Sequence, residues 1–300
     1  MQNRNQTTEL VETVTIVSIG QHTRLGDALE YAVEGVPFET VDTGELAAGN
    51  WTNRRLLFAA STDKHGENAD LRALASLLQA RECDLFGCVC AMIADGEQGG
   101  AIHLDAIRLL LSANAAGAEL IAQPLLESER DLRNLAGEAG GRETGFARYR
   151  TLAKTLTLRL REQNASAKKQ QSIRFASALD AGTKNDWRGM IRRMMADCKM
   201  ELSEDDAESE DTIVLCENTD GLPDAKTLAL LNGGGRIRFL VASPETGGDL
   251  YTSALFERAC LRGKYSLAPC GITLFEGKSA VEALASRVEL ERVKANLVRS

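Results

Sequence analysis

Two loops hold residue types that could do chemistry, and they are near-copies of one another. One reads Ala91-Met-Ile-Ala-Asp-Gly-Glu97-Gln-Gly99-Gly100, the other Phe239-Leu-Val-Ala-Ser-Pro-Glu245-Thr-Gly247-Gly248, at an offset of 148 residues with no gap. Each has an apolar run, a Glu-x-Gly-Gly loop and a helix-like segment. Glycine lets backbone approach another group closely. The adjoining Glu97 or Glu245 would cap the next helix through its amide hydrogens, or accept from a ring nitrogen of a ligand; the cap is the expected role. His22 and His103 belong to loops and could act as anion ligands or as an acid. His103 has Tyr251 as its counterpart at the same offset. The seven cysteines include no Cys-x-x-Cys, and the three histidines show no zinc-type spacing with them, so no metal site is expected and reduced, buried thiols are. The chain has no Gly-x-Ser-x-Gly elbow, no Walker-type phosphate loop, and no Gly-x-Gly-x-x-Gly after a strand.

The elements that must position these loops alternate. Val14–Ile19, Phe38–Asp42, Leu56–Ala60, Cys88–Ala94 and Leu120–Leu126 read as strands. Helical spacing lies between them at Leu25–Val33, after a cap at Asn68, and over Ile102–Ala116. The same order returns at Ile173–Ser177, Met200–Leu202, Thr212–Cys216, Ile237–Ala242 and Gly271–Phe275. Helices are expected at Asp186–Ala196, Ala225–Leu231, Leu250–Leu261 and Ser279–Val288. Alternation of this kind implies a parallel sheet covered on both faces. The repeat makes the chain two related α/β domains, 13–142 and 172–300, joined by a helix and linker over 143–171. The basic helix Phe146–Gln163 is expected to be a solvated helix with an apolar stripe. Ser203–Asp211 is expected to be an exposed acidic insertion, and Gly233-Gly234-Gly235 a loop.

At 300 residues, 44% hydrophobic and 26% charged, each half is long enough for its own core. The net charge of −8 argues against nucleic acid or an anionic membrane as partner. No apolar run has the ~20 residues of a membrane span, and the polar start has no secretory h-region, so a cytoplasmic location is expected.

The order, the lengths and the glycine pair after the fourth strand resemble the flavodoxin-like fold, in its NADPH-dependent FMN reductase branch. The resemblance covers Val14 to about Leu135 and again Ile173 to Val288. It implies two tandem flavodoxin-like domains and an FMN site, with NADPH as the possible second nucleotide. In that family a Ser/Thr-rich loop after the first strand holds the phosphate with hydroxyls and helix amides. Here that loop reads Gly20-Gln-His-Thr-Arg-Leu-Gly-Asp27, so the resemblance implies Gly20, His22, Thr23 and Arg24 as the phosphate group. Ser61, Thr62 and Asp63 would flank the ring, and Glu97, Gly99 and Gly100 would close over it. The second copy, Ala178–Asp186, offers Gly182, Thr183, Lys184 and Asn185. Asp180 and Asp186 would oppose a dianion there, by roughly 4 kcal/mol for two charges 4 Å apart at an effective dielectric of 20. A tight turn with an aspartate cap is therefore expected in the second copy. No aromatic stands in either loop after the third strand, and Trp51 and Trp187 are expected to pack in the core or at the surface.

Two functions follow. The first is an FMN-binding NAD(P)H-dependent oxidoreductase or electron-transfer protein using the first domain, with flavin carrying the hydride chemistry. The alternative is a tandem scaffold or interaction subunit without a cofactor. Either a pseudo-dimer within one chain or a homodimer is compatible with the repeat.

Overall fold

The computed structural model describes residues 13–20, 29, 33, 35–49, 51–63, 67–80, 83–96, 104–121, 125–128, 172–196, 200–203, 211–219 and 221–298. The chain divides into two compact units, Met1–Asn164 and Ala165–Ser300.

The first unit contains β1 (Val14–Ile19), β2 (Phe38–Asp42), α1 (Thr43–Ala48), β3 (Arg55–Thr62), α2 (Ala69–Gln79), β4 (Val89–Gly96), α3 (Leu104–Ala115), β5 (Glu119–Leu120) and β6 (Leu125–Ser128). Its strands run in the order β2-β1-β3-β4-β5, every pair parallel, and β6 pairs the C-terminal half of β4. β3 and β4 are near-continuous apolar runs because both their faces are covered, whereas β2 alternates between exposed and half-buried residues as an edge strand does. Asn68 caps α2: its side-chain oxygen accepts from the backbone N–H groups of Asp70 and Leu71. Leu71, Leu74, Ala75 and Leu78 then face the core, while Leu77 is half-buried. Asp42 and Glu45 form a capping box that starts α1 directly at the end of β2.

The second unit contains β7 (Ser172–Ser177), α4 (Ala181–Ala196), β8 (Glu201–Leu202), β9 (Asp211–Glu217), α5 (Ala225–Leu230), β10 (Gly234–Ser243), α6 (Gly248–Phe256) with a π-helical turn over Glu257–Leu261, β11 (Lys264–Glu276), α7 (Ala280–Ala285) and α8 (Arg287–Val298). The order is β8-β7-β9-β10-β11, again all parallel. Alternate strand residues point to opposite faces. Ile213, Leu215, Leu240 and Ala242 therefore meet Trp187 and Ile191 of α4, Ala280 and Ala283 of α7, and Val293 and Leu297 of α8. Their neighbours Val214, Cys216, Phe239 and Val241 are buried on the other face, where Tyr251 of α6 hydrogen-bonds Cys216. Both units thus have the doubly wound flavodoxin-like order, written 2-1-3-4-5.

Several boundaries differ from the sequence reading. Ser61 and Thr62 belong to β3, not to the loop after it. Gly234 and Gly235 begin β10. Asp211 is the first residue of β9, buried against Arg236, whose Nε donates to its carboxylate at 2.7 Å. The helix expected to start at Asp186 starts five residues earlier, at Ala181. The segment expected as a single helix over Ser279–Val288 is two helices, broken at Ser286. The expected helix over Phe146–Gln163 lies outside the described residues.

Candidate functional site

In an open parallel sheet a ligand sits beyond the carboxyl ends of the strands, where strand order reverses. In the first unit that switch lies between β1 and β3, which pair along their full length from Val14 with Arg55 to Ile19 with Ala60. β1 ends in Gly20, at φ +64°, a left-handed turn open to glycine. The site for a side chain on Gly20 is taken: a Cβ there would lie 2.8 Å from Oδ2 of Asp70, in the first turn of α2. Of the other residues expected to hold phosphate, His22, Thr23 and Arg24 lie outside the described residues, as do Glu97, Gly99 and Gly100.

The three residues expected beside a ring divide in two. Ser61 presents its carbonyl to the Asn68 side-chain amide at 2.7 Å, and its hydroxyl is buried without a partner among the described residues. Thr62 is 2% exposed and donates its hydroxyl to the carbonyl oxygen of Asp95 at 3.2 Å. Asp63 is exposed and closes the loop that follows: its N–H donates to the Glu67 carbonyl, and its carboxylate accepts from the Glu67 N–H, both at 3.0 Å. Beyond that loop lies a cluster the sequence reading missed. Asp105, fully buried in the first turn of α3, accepts from the Asn68 N–H at 2.8 Å and from Arg72 at 2.9 Å; its other oxygen takes Arg108 at 3.3 Å. The loop after β3, the start of α2 and the start of α3 are thereby tied together. Its signal in the sequence is faint: aspartate in a helical first turn is common, and its partners are 33 and 37 residues away.

The corresponding loops of the second unit bond among themselves. Asp180 caps α4, accepting from the Thr183 N–H at 3.0 Å. Hydrogen bonds, first from the Thr183 backbone and then from its hydroxyl, hold the Asp180 carboxyl below its usual pKa. Gly182, Thr183, Lys184 and Asn185 are helical rather than a loop. After β9, Asn218 donates its side-chain amide to the Ser243 hydroxyl at 3.2 Å and accepts from the Gly221 N–H at 2.8 Å. Ser243 in turn donates its hydroxyl to the Glu245 carbonyl at 3.0 Å. Glu217 reaches the start of α7 and accepts from the Ala280 N–H. Glu245 is not a side-chain cap of α6; the N-cap is Gly247, at φ +110°, with no side-chain hydrogen bond. Gly248 is required for packing, because a Cβ would lie 2.9 Å from a Leu274 methyl. Tyr251, the counterpart of His103, is 1% exposed and so is not at the mouth.

The described thiols are buried and free. Burial pushes Cys88 and Cys216 up to about 12 and raises Cys90 and Cys260 as well. No three His, Cys, Asp or Glu residues converge to hold a metal among the described residues, and no described helix is long and apolar enough to cross a membrane.

No protein-family model and no curated protein matches the chain. Among solved structures it is similar to the flavodoxin of Fusobacterium nucleatum bound to flavin mononucleotide, at 15% identity and a TM-score of 0.35, over 50% of this chain and 98% of that one. It is also similar to tagatose-6-phosphate ketose/aldose isomerase of Escherichia coli, at 13% identity and 0.25, over 97% and 83%. A third likeness is to the C-terminal domain of glucosamine-fructose-6-phosphate aminotransferase of Francisella tularensis, at 15% and 0.25, over 98% and 87%. At these scores the fold assignment rests on strand order and register, which make each unit a doubly wound, flavodoxin-like α/β sheet.

Proposed function

We propose that the first unit binds a flavin nucleotide, FMN, and serves NAD(P)H-dependent oxidoreduction or electron transfer, while the second is a duplicate without a ligand. The observation that carries this reading is the Gly20 turn at the β1/β3 switch point, the place where this strand order takes a mononucleotide. Gly20, His22, Thr23 and Arg24 would take the phosphate, Ser61, Thr62 and Asp63 would border the ring, and Glu97, Gly99 and Gly100 would cover it. When bound, the flavin would supply the hydride or electron chemistry. This chain's residues bind and orient it, and no protein acid or base is assigned. The second unit supports the reading by contrast, since there Asp180 is engaged in capping α4 and Asn218 in a bond to Ser243.

A second reading, a tandem scaffold without a cofactor, is favoured by Asp70, whose carboxylate packs where a phosphate would approach Gly20. The visible spectrum of the purified protein separates the two. A flavin band near about 450 nm, with the chromophore released as FMN on denaturation, is expected from the first reading. A colourless protein that takes up no flavin on reconstitution supports the scaffold.

A further inference from the structure

Asp105 does more than tie the β3 loop to α3. Its buried carboxylate holds two guanidinium groups at once, Arg72 from α2 and Arg108 from α3, both within 3.3 Å. The carboxylate is fully buried, yet the arginine side chains are 44% and 56% exposed. Their inner edges are fixed and their outer edges face solvent. Each arginine comes from the first or second turn of a helix whose amino end lies at the carboxyl edge of the sheet, so two positive helix ends add to the field. One carboxylate cannot neutralise two guanidiniums. The further acid in contact is Glu67, an exposed loop residue 3.3 Å from Arg72. The matching helix positions in the second unit carry no arginine: counted from the helix starts, Arg72 and Arg108 fall opposite Leu228 and Thr252, and Asp105 opposite Asp249. The second unit has a buried carboxylate of its own between two cations, Glu289 with Lys278 and Arg292, but it lies on a different helix, α8.

We infer that Arg72 and Arg108, oriented by Asp105, form an anion site for a phosphomonoester, the group that distinguishes a phosphorylated nicotinamide dinucleotide from its unphosphorylated form. Planar guanidiniums on a rigid support suit a phosphate's oxygens, and here the orienting carboxylate lies beneath them, away from solvent. The arriving phosphate displaces Glu67 from Arg72. Only the identity of the nucleotide rests on the flavin reading.

The test is calorimetry on the full chain without flavin, using 2′,5′-ADP, 5′-AMP and inorganic phosphate. Saturable binding of 2′,5′-ADP is expected, at least about tenfold tighter than 5′-AMP. Arg72→Ala and Arg108→Ala should each weaken it by about tenfold, while Glu67→Gln strengthens it, a gain that a purely structural ion network would not give. Both arginines are half-exposed, so the variants should keep the wild-type circular dichroism. Asp105→Asn should weaken binding in the same way with Arg72 and Arg108 still present. Binding of inorganic phosphate with no preference for 2′,5′-ADP would retain the anion site and overturn its assignment to a dinucleotide. No saturable binding of any probe at millimolar concentration, or binding that ignores both arginine variants, would overturn the site itself. A failed flavin titration leaves these outcomes unchanged.

Discussion

A carboxylate stands at the entrance a phosphate would use. Asp70 packs against Gly20, and two unit charges a few ångströms apart at an exposed site repel by about 1 kcal/mol. Asp70→Asn should therefore tighten FMN by about fivefold at low salt, with less effect as salt screens the charge; a change in the opposite direction would mean that Asp70 helps to build the turn. Cysteines make a second prediction at this scale. Only a thiolate reacts quickly with an alkylating reagent, and burial keeps Cys88, Cys90, Cys216 and Cys260 protonated far above neutral pH. Mass spectrometry after native iodoacetamide treatment at pH 8 should find these four unmodified, and all four modified in denaturant. Rapid native labelling of any of them would contradict the described packing. The burial of Cys88, Cys90 and Cys216 was legible in advance because they fall in apolar strand runs, where cysteine packs as a small hydrophobe. The Asp105 cluster was not legible, since its partners meet through tertiary contact alone.

Elements were legible where the local pattern and the fold agree, and misread where one polar residue has two uses. The apolar runs of β1, β3, β4, β9 and β10 stand out because parallel strands are buried on both faces. The start of α4 was placed late because Gly182 suggests a loop, yet Asp180 caps a helix that tolerates glycine in its first turn. Asp211 was grouped with the acidic segment before it; its buried partner Arg236 lies 25 residues further on, beyond any local pattern. The Glu-x-Gly-Gly signal in the second unit has a packing cause: Gly247 turns the chain left-handed and Gly248 lies against Leu274. α4 packs through Trp187, Ile191, Met194 and Met195. Trp187 is fully buried, stacks on Phe275 with ring centres 5.6 Å apart, and donates its indole N–H to the Ala280 carbonyl at 2.9 Å. Trp187→Ala should cost about 4 kcal/mol in the unfolding of the second unit, measured by denaturant titration. A loss below about 1 kcal/mol would show that the α4–α7 face is not the core it is described to be.

At the scale of the whole molecule, two units of one strand order stand in one chain. The 148-residue repeat led to the expectation of two related units, because both copies carry the same strand-loop-helix signal at the fourth strand. It did not announce their divergence. In the second unit Asp180 caps α4, while Asn218 and Ser243 bond each other after β9 and β10; in the sequence these short polar side chains look like ordinary turn residues. Under the proposed function, the first unit takes the ligand and the second is a duplicate without one. The measurement that tests this most directly is a titration of the full chain with FMN, followed by quenching of flavin fluorescence, for wild type and for Arg24→Ala. One saturable site per chain with a dissociation constant of about micromolar or tighter, weakened at least tenfold in the variant, is the predicted result. No saturable quenching at any concentration, or binding that Arg24→Ala leaves untouched, would contradict a flavin site in the first unit.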